Sequence, residues 1–275
     1  MRSSFFILLF LLSCVYVKSQ DLRNYKLVWS DEFNKDGPPD SSSWTYENGF
    51  VRNQELQWYQ PENARCEKGY LIIEARREEK PNPAYVPGSK DWRTKRPIIN
   101  YTSACLITRG RKTWQYGRFE MKAKIDISPG LWPAWWTLGT AGRWPANGEI
   151  DIMEYYRKRL LANIACLNKE HGAEWFSNTF STDSLGGKKW SAKFHIWRMD
   201  WTKEFIALYV DNQLLNKVSL DSLINKDGSG FNPFKQPHYM LLNLAIGGTS
   251  GGDPSDTPFP KEFVIDYVRV YQQAH

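Results

Sequence analysis

Gly148-Glu149-Ile150-Asp151-Ile152-Met153-Glu154-Tyr155 sets three carboxylates within six positions of an apolar, β-branched run. Ile150, Ile152 and Met153 have strand character with one buried side. Successive strand side chains point to opposite faces, so Glu149 and Asp151 share a face and strict alternation sends Glu154 to the other. One extra residue, a β-bulge near Ile152-Met153, returns Glu154 to their face. The stretch is expected to be a bulged, curved strand presenting Glu149, Asp151 and Glu154 in a row.

The same strand grammar recurs outward from there. Lys26 to Phe33, Tyr70 to Arg76, Ser103 to Thr108 and Arg118 to Asp126 alternate or carry β-formers. In the last, Phe119, Met121, Ala123 and Ile125 face one way, and Arg118, Glu120, Lys122 and Lys124 the other. Further strands are expected at Leu161 to Asn168, His195 to Trp201, Phe205 to Val210, Leu214 to Ser219, Tyr239 to Ala245 and Phe263 to Tyr271. Val210-Asp211-Asn212-Gln213 reads as a hairpin turn. Only Asp221 to Asn225 hints at a helical turn. Many strands without long helices define an all-β chain built as a sandwich or jelly roll. Loops are expected at Asn34 to Ser43, Glu79 to Pro97, Lys226 to Pro237 and Gly247 to Pro260. The second is long and basic, either a solvated insertion or a cleft rim. Gly247 to Gly252 reads as a flexible rim.

A row of three like charges is costly as structure, because repulsion must raise at least one pKa. Glycosidic bond cleavage uses such a row: one carboxylate attacks the sugar carbon while a second, protonated, donates to the leaving oxygen. Carboxyl groups about 5–5.5 Å apart give retention of configuration. An Asp between them can hydrogen-bond to the nucleophile and help hold the pair at different pKa values. The competing readings are a solvated polar strand face and a metal cluster.

Glu149-Ile150-Asp151-Ile152-Met153-Glu154 resembles the bulged E-x-D-x-x-E signature of glycoside hydrolase family 16. The resemblance runs from Leu27-Val28-Trp29-Ser30-Asp31-Glu32-Phe33 to Ile265-Asp266-Tyr267-Val268-Arg269-Val270-Tyr271. Between them, Asn53-Gln54-Glu55-Leu56-Gln57-Trp58-Tyr59, Tyr101-Thr102-Ser103-Ala104, Tyr116-Gly117-Arg118-Phe119-Glu120 and Gly130-Leu131-Trp132-Pro133-Ala134-Trp135-Trp136 look like the laminarinase-type, endo-β-1,3-glucanase branch. The resemblance implies a two-sheet antiparallel β-sandwich, a concanavalin A-like jelly roll with a concave substrate cleft. It also implies Glu149 as nucleophile, Glu154 as acid/base and Asp151 as their assistant. No cofactor is required for that chemistry. Many members hold a structural calcium at positions matching Glu32 and Asp266, near the two chain ends; hard oxygen ligands suit calcium. Two surface carboxylates, or a salt bridge from one of them to Arg269, is the alternative.

Residues 1–19 read as a secretion signal: Arg2 is the positive end, Phe5 to Leu12 the apolar core and Val17-Lys18-Ser19 the cleavage site. Leu11-Leu12-Ser13-Cys14 has the rough shape of a lipobox, so a lipid anchor through Cys14 competes with it. Either reading exports the protein, to periplasm, cell surface or medium. No later stretch is apolar and long enough to span a membrane. Residues 20–275 carry no linker or repeat and are read as one catalytic domain. The net charge is +6; loss of Arg2 and Lys18 leaves a mild excess of scattered cations, which is not a nucleic-acid footprint. Cys66, Cys105 and Cys166 remain beyond the signal, an odd number that allows at most one bridge. Buried free thiols are the simpler reading. His171 and His195 stand alone, as structural histidines do.

Aromatic residues make up 15% of the chain, with 13 Trp, more than a core alone needs. Trp also serves as a flat platform for sugar rings. Trp132, Trp135, Trp136 and Trp144 crowd the approach to the acid row, and alternation puts Trp132 and Trp136 on one face and Trp135 on the other. The resemblance sets Trp132 and Trp136 near substrate. It places Asn53 and Trp58 on the non-reducing side of the cleft and likens Arg76 to a cleft arginine; Glu55 reads equally as a structural partner. The expected function is a monomeric endo-glycosidase acting on a polysaccharide, by resemblance a β-1,3- or mixed β-1,3/1,4-glucan. One departure matters: laminarinases follow the motif with a Gly-rich segment and a Thr/His pair. Here Tyr156-Arg157-Lys158-Arg159-Leu160-Leu161-Ala162-Asn163-Ile164-Ala165 removes the His and adds cations. That favours an endo-β-galactosidase acting on keratan or mucin-type O-glycans as the rival. A non-catalytic carbohydrate-binding jelly roll is the third reading, and the retained glutamates count against it.

Overall fold

The structure, a computed structural model, describes residues 24–274. The signal reading of 1–19 and the Cys14 anchor lie outside the described residues. In chain order the elements begin β1 (Tyr25–Asp31), β2 (Thr45–Tyr46), β3 (Gln57–Tyr59), β4 (Ala64–Glu67), β5 (Tyr70–Pro81), β6 (Ile98–Ser103), β7 (Cys105–Ile107), β8 (Gly117–Lys124) and β9 (Leu131–Gly139). They continue with β10 (Glu149–Tyr156), β11 (Arg159–Leu167), β12 (Ala173–Ser181), α1 (Thr182–Leu185), α2 (Gly187–Ser191), β13 (His195–Trp201) and β14 (Phe205–Val210). The last are β15 (Gln213–Ser219), β16 (His238–Ile246), α3 (Gly248–Gly251) and β17 (Lys261–Gln273).

Two sheets result. One runs β15-β14-β13-β8-β17-β5-β6-β3, with β1 on β17 and β4 on β5; the other runs β12-β11-β10-β9-β16-β7-β2. All pairings are antiparallel except β3 with β6. The expected hairpin closes with Val210 opposite Gln213, and Asp211 takes a left-handed φ of 51°. Alternation sorts the side chains as the sequence implies. On β8, Phe119, Met121 and Ala123 are buried, while Glu120, Lys122 and Lys124 are only partly covered. They join Trp197, Met199 and Trp201 of β13 and Ile150, Ile152, Met153 and Tyr155 of β10 in one core between the sheets. Each large apolar side chain buried there contributes roughly 1.5–3 kcal/mol. Trp135 points into this core, fully buried, whereas Trp132 and Trp136 emerge on the opposite face.

Some local expectations change. The helical turn expected at Asp221 to Asn225 is a single 3-10 turn, Leu220–Ser222, capped by Ser219 Oγ accepting from Asp221 N at 3.4 Å. The three short helices are a turn or so long, too brief for a 3.6-residue period to show. Strand β12 has no fully buried residue, so as an edge strand it lacks the hydrophobic alternation that marks its neighbours. Gly247 to Gly252, read as a loop, contains α3. Cys66, Cys105 and Cys166 are all free and buried. His195 has both ring nitrogens engaged, with Asp211 at 2.8 Å and the Trp190 carbonyl at 2.9 Å, a structural role.

Candidate active site

The bulge falls where the carboxylate spacing requires it. Against β11, Asp151 pairs with Asn163 and Glu154 with Leu161, three steps against two. Against β9, Asp151 pairs with Trp136 and Glu154 with Ala134, again three against two. The extra residue keeps Ile152 and Met153 both in the core and turns Glu154 to the face of Glu149 and Asp151. All three carboxylates line one cleft of about 720 Å³ on the outer face of the seven-stranded sheet.

The three groups differ in what surrounds them. Asp151 is 4% exposed. Burial, then the charges of Glu149 and Glu154, push its carboxyl well above the usual range. Its hydrogen bond with Glu149 lowers the pKa of Glu149 while raising that of Asp151. Burial raises Glu149, opposed by hydrogen bonds from Trp144 and Asp151 and by the charge of Arg52. Glu154 is pushed up to about 7, first by burial and then by the charge of Glu149. Two donors hold its oxygens: Trp132 Nε1 at 2.8 Å on Oε1 and Asn163 Nδ2 at 2.9 Å on Oε2. The same Asn163 amide donates to Asp151 Oδ2 at 3.1 Å. One carboxylate is thus assisted toward ionisation and another is poised to carry a proton near neutrality, the division that acid/base and nucleophile roles need.

The cleft gathers most, not all, of the residues singled out from sequence. Asn53, Trp132, Trp136 and Trp144 line it. Trp136 is fixed by Nε1 donating to Asn243 Oδ1 at 2.7 Å, and Trp144 Nε1 donates to Glu149 Oε2. Trp58 does not line the cleft; it meets Phe50 edge-on at 5.4 Å. Arg76 is a correction: it sits on β5 of the other sheet, paired with Glu74 and Glu78. Glu55 is buried, accepting from Gln57 Nε2 at 2.7 Å and Asn53 Nδ2 at 3.3 Å, and supports the cleft wall from behind.

At the positions expected to hold calcium the structure shows ion pairs. Arg269 takes Glu32 in a fork of 2.9 and 2.8 Å, and Lys122 takes Asp266 at 2.6 Å. Both carboxylates are thus paired with cations of the neighbouring strands. Among the described residues no group of three or more His, Cys, Asp or Glu can hold a metal ion.

Sequence reasoning missed Asn163, Arg52, Tyr156, Trp175 and Ser250, all of which line the cleft. Asn163 reaches the acids across the strand register, opposite Asp151. Arg52 lies over the Trp136 ring, 5.0 Å from its centroid, and is ion-paired with Glu47. Trp175, on the edge strand, is 45% exposed, and only the register Trp175–Ala165–Glu149 across β12, β11 and β10 reveals its place beside the acids.

An all-β sandwich that opens a tryptophan-walled cleft over a row of three carboxylates is a carbohydrate-active hydrolase of the two-carboxylate kind. Residues 82–269 match the model for glycosyl hydrolases family 16, and the chain belongs to that family. It is 36% identical over 298 residues to a beta-glucanase of Rhodothermus marinus, covering 99% of this chain and 95% of that one. The solved laminarinase of Rhodothermus marinus superposes with a TM-score of 0.73 at 36% identity, over 91% of this chain and 98% of the other. A structure from work on endo-acting O-glycanases of the human gut microbiota that initiate mucin breakdown superposes with a TM-score of 0.82 at 34% identity, over 91% and 92%. The chain is an endo-acting glycoside hydrolase.

Proposed function

We propose that this protein cleaves internal linkages of a β-1,3- or mixed β-1,3/1,4-glucan with retention of configuration. The observation that carries the reading is the acid row itself, with an Asp151-assisted Glu149 and a Glu154 held at about 7 on one face of a bulged strand. Glu149 attacks the anomeric carbon as Glu154 passes its proton to the glycosidic oxygen, so the bond to the leaving sugar breaks and a glycosyl-enzyme forms. Water then attacks that carbon, Glu154 takes its proton, and Glu149 is released. Asp151, whose carboxyl is pushed toward the protonated form by burial and by its two acidic neighbours, hydrogen-bonds to Glu149. The glucan preference is supported by the beta-glucanase and laminarinase relatives. The signal-like pattern of residues 1–19 supports export.

A second reading, an endo-β-galactosidase on keratan or mucin-type O-glycans, draws on the higher TM-score to the mucin-directed structure. It also draws on Arg52 in the cleft wall and the exposed Arg157 and Arg159 nearby, which suit anionic chains. The test is incubation with laminarin, lichenan, keratan sulfate and mucin O-glycans, with products sized. Short laminari-oligosaccharides support the first reading; galactose-ended fragments with laminarin intact replace it with the second. Glu149→Gln must abolish either activity while leaving the fold unchanged, and normal turnover in that variant overturns the mechanism.

A further inference from the structure

The segment 51–56 enters the cleft through Arg52 and Asn53, yet it belongs to no strand or helix. Asn53 and Gln54 both hold left-handed backbone, with φ of 53° and 52°, a conformation that side-chain-bearing residues adopt rarely and only where surroundings enforce it. Five successive carbonyls in this segment are all taken. Arg93 Nη2 donates to the Val51 carbonyl at 2.9 Å. Glu55 N donates to that of Arg52 at 3.1 Å, and Thr249 N to that of Asn53 at 2.9 Å. Arg96 donates from Nη2 to Gln54 at 3.2 Å and from Nη1 to Glu55 at 2.9 Å. Three of the five therefore rest on two arginines of the long basic loop, residues 82–97.

That loop is itself locked. Asn82, 5% exposed, donates from its amide to the carbonyls of Arg93 and Arg96 at 3.1 and 2.8 Å. Trp92 lies under both guanidinium groups, at 4.7 Å for Arg93 and 5.3 Å for Arg96, and Phe50 under Arg96 at 4.8 Å. Flat cations stacked on rings and donating in a fork are more rigid than solvated lysines. Neither Arg93 nor Arg96 lines the cleft.

We propose that Arg93 and Arg96 are positioning residues: the loop 82–97 is a brace that fixes the left-handed turn carrying Arg52 and Asn53, and so sets affinity for the sugar that lies over Trp136. The inference rests on the reading of this cleft as a glycan site, and one arm of its test needs no glycan. In hydrogen–deuterium exchange on the free protein, Arg96→Ala speeds exchange of the 50–56 peptide at least tenfold while peptides of β9 and β10 stay unchanged. Arg96→Lys, which reaches one carbonyl rather than two, falls between. In kinetics on whichever of the four panel glycans is hydrolysed, Arg96→Ala raises KM about tenfold and leaves kcat within twofold. The same substitution in an Arg52→Ala, Asn53→Ala background has no further effect, because the groups it positions are gone. Unchanged exchange in the 50–56 peptide overturns the brace. Changed exchange with an unchanged KM overturns its part in binding, and a KM loss that persists undiminished in the double background overturns the route through Arg52 and Asn53. If no panel glycan is cleaved, the glycosidase reading fails separately, and the exchange arm still decides whether the brace exists.

Discussion

Replacing Glu154 by Gln is expected to shift the balance of stability toward the variant as pH rises. A carboxyl with a raised folded pKa keeps a proton that the unfolded chain has already lost. Its stabilising share is therefore complete below the unfolded value and is lost as pH climbs through the folded one. For Glu154 that window runs from 4.5 to about 7. The span corresponds to about 3 kcal/mol at about 1.36 kcal/mol per pKa unit, nearly all of it lost by pH 8 and little of it by pH 4.5. Gln carries no charge, so it escapes this penalty. It also brings a fixed cost, because both Glu154 oxygens accept from donors, Trp132 Nε1 and Asn163 Nδ2, and the Gln amide nitrogen cannot accept. That cost is the same at every pH. The readout is thus the change in the Tm difference with pH rather than its value at one pH. A chain of this size moves about 2 °C per kcal/mol, so the variant gains about 5 °C relative to the parent between pH 4.5 and pH 8. Differential scanning calorimetry of both proteins across that range measures it. A flat difference, or one growing toward acid, refutes the assignment of a raised pKa to Glu154 and with it the acid role.

Asn163→Ala removes a donor that favours the ionised form of Glu154, so the alkaline limb of kcat/KM, set near pH 7, should move up by about one pH unit; a downward move contradicts the geometry. Arg118→Met removes the fork of 2.6 and 2.9 Å that holds Asp200 in the buried interior and leaves it only the longer Arg198 contact at 3.7 Å, and urea unfolding should show a loss of about 3 kcal/mol. Addition of a chelator should leave Tm within about 1 °C of its value without it, because Arg269 and Lys122 already neutralise Glu32 and Asp266. A larger fall would show that these carboxylates serve a cation after all.

What could be read from the chain followed from periodicity. The strand pattern of β8 and the three-carboxylate motif of β10 are local signals, and a bulge was the one backbone device able to put Glu154 beside Glu149 and Asp151. The placement of Trp135 against Trp132 and Trp136 needed nothing beyond alternation. Arg76 failed because its neighbours along the chain say nothing about which sheet β5 joins; only the pairing with β17 and β6 shows that it stands away from the cleft. Strand β1, which leads into Glu32, pairs with β17, which carries Asp266, yet the cations that claim these carboxylates come from strand partners the sequence does not announce. Asn163 and Trp175 were hidden for the same reason. Each reaches the acids across a register, Asn163 opposite Asp151 and Trp175 two strands from Glu149. The cleft is thus built in two ways. Its acids come from one strand and are encoded in eight residues. Their tuning comes from Trp132, Trp144, Asn163 and Arg52, brought from four separate places in the chain. Substitutions at those four positions can shift pH dependence and substrate preference while the motif stays intact, so chains that share the same hexapeptide need not share a substrate.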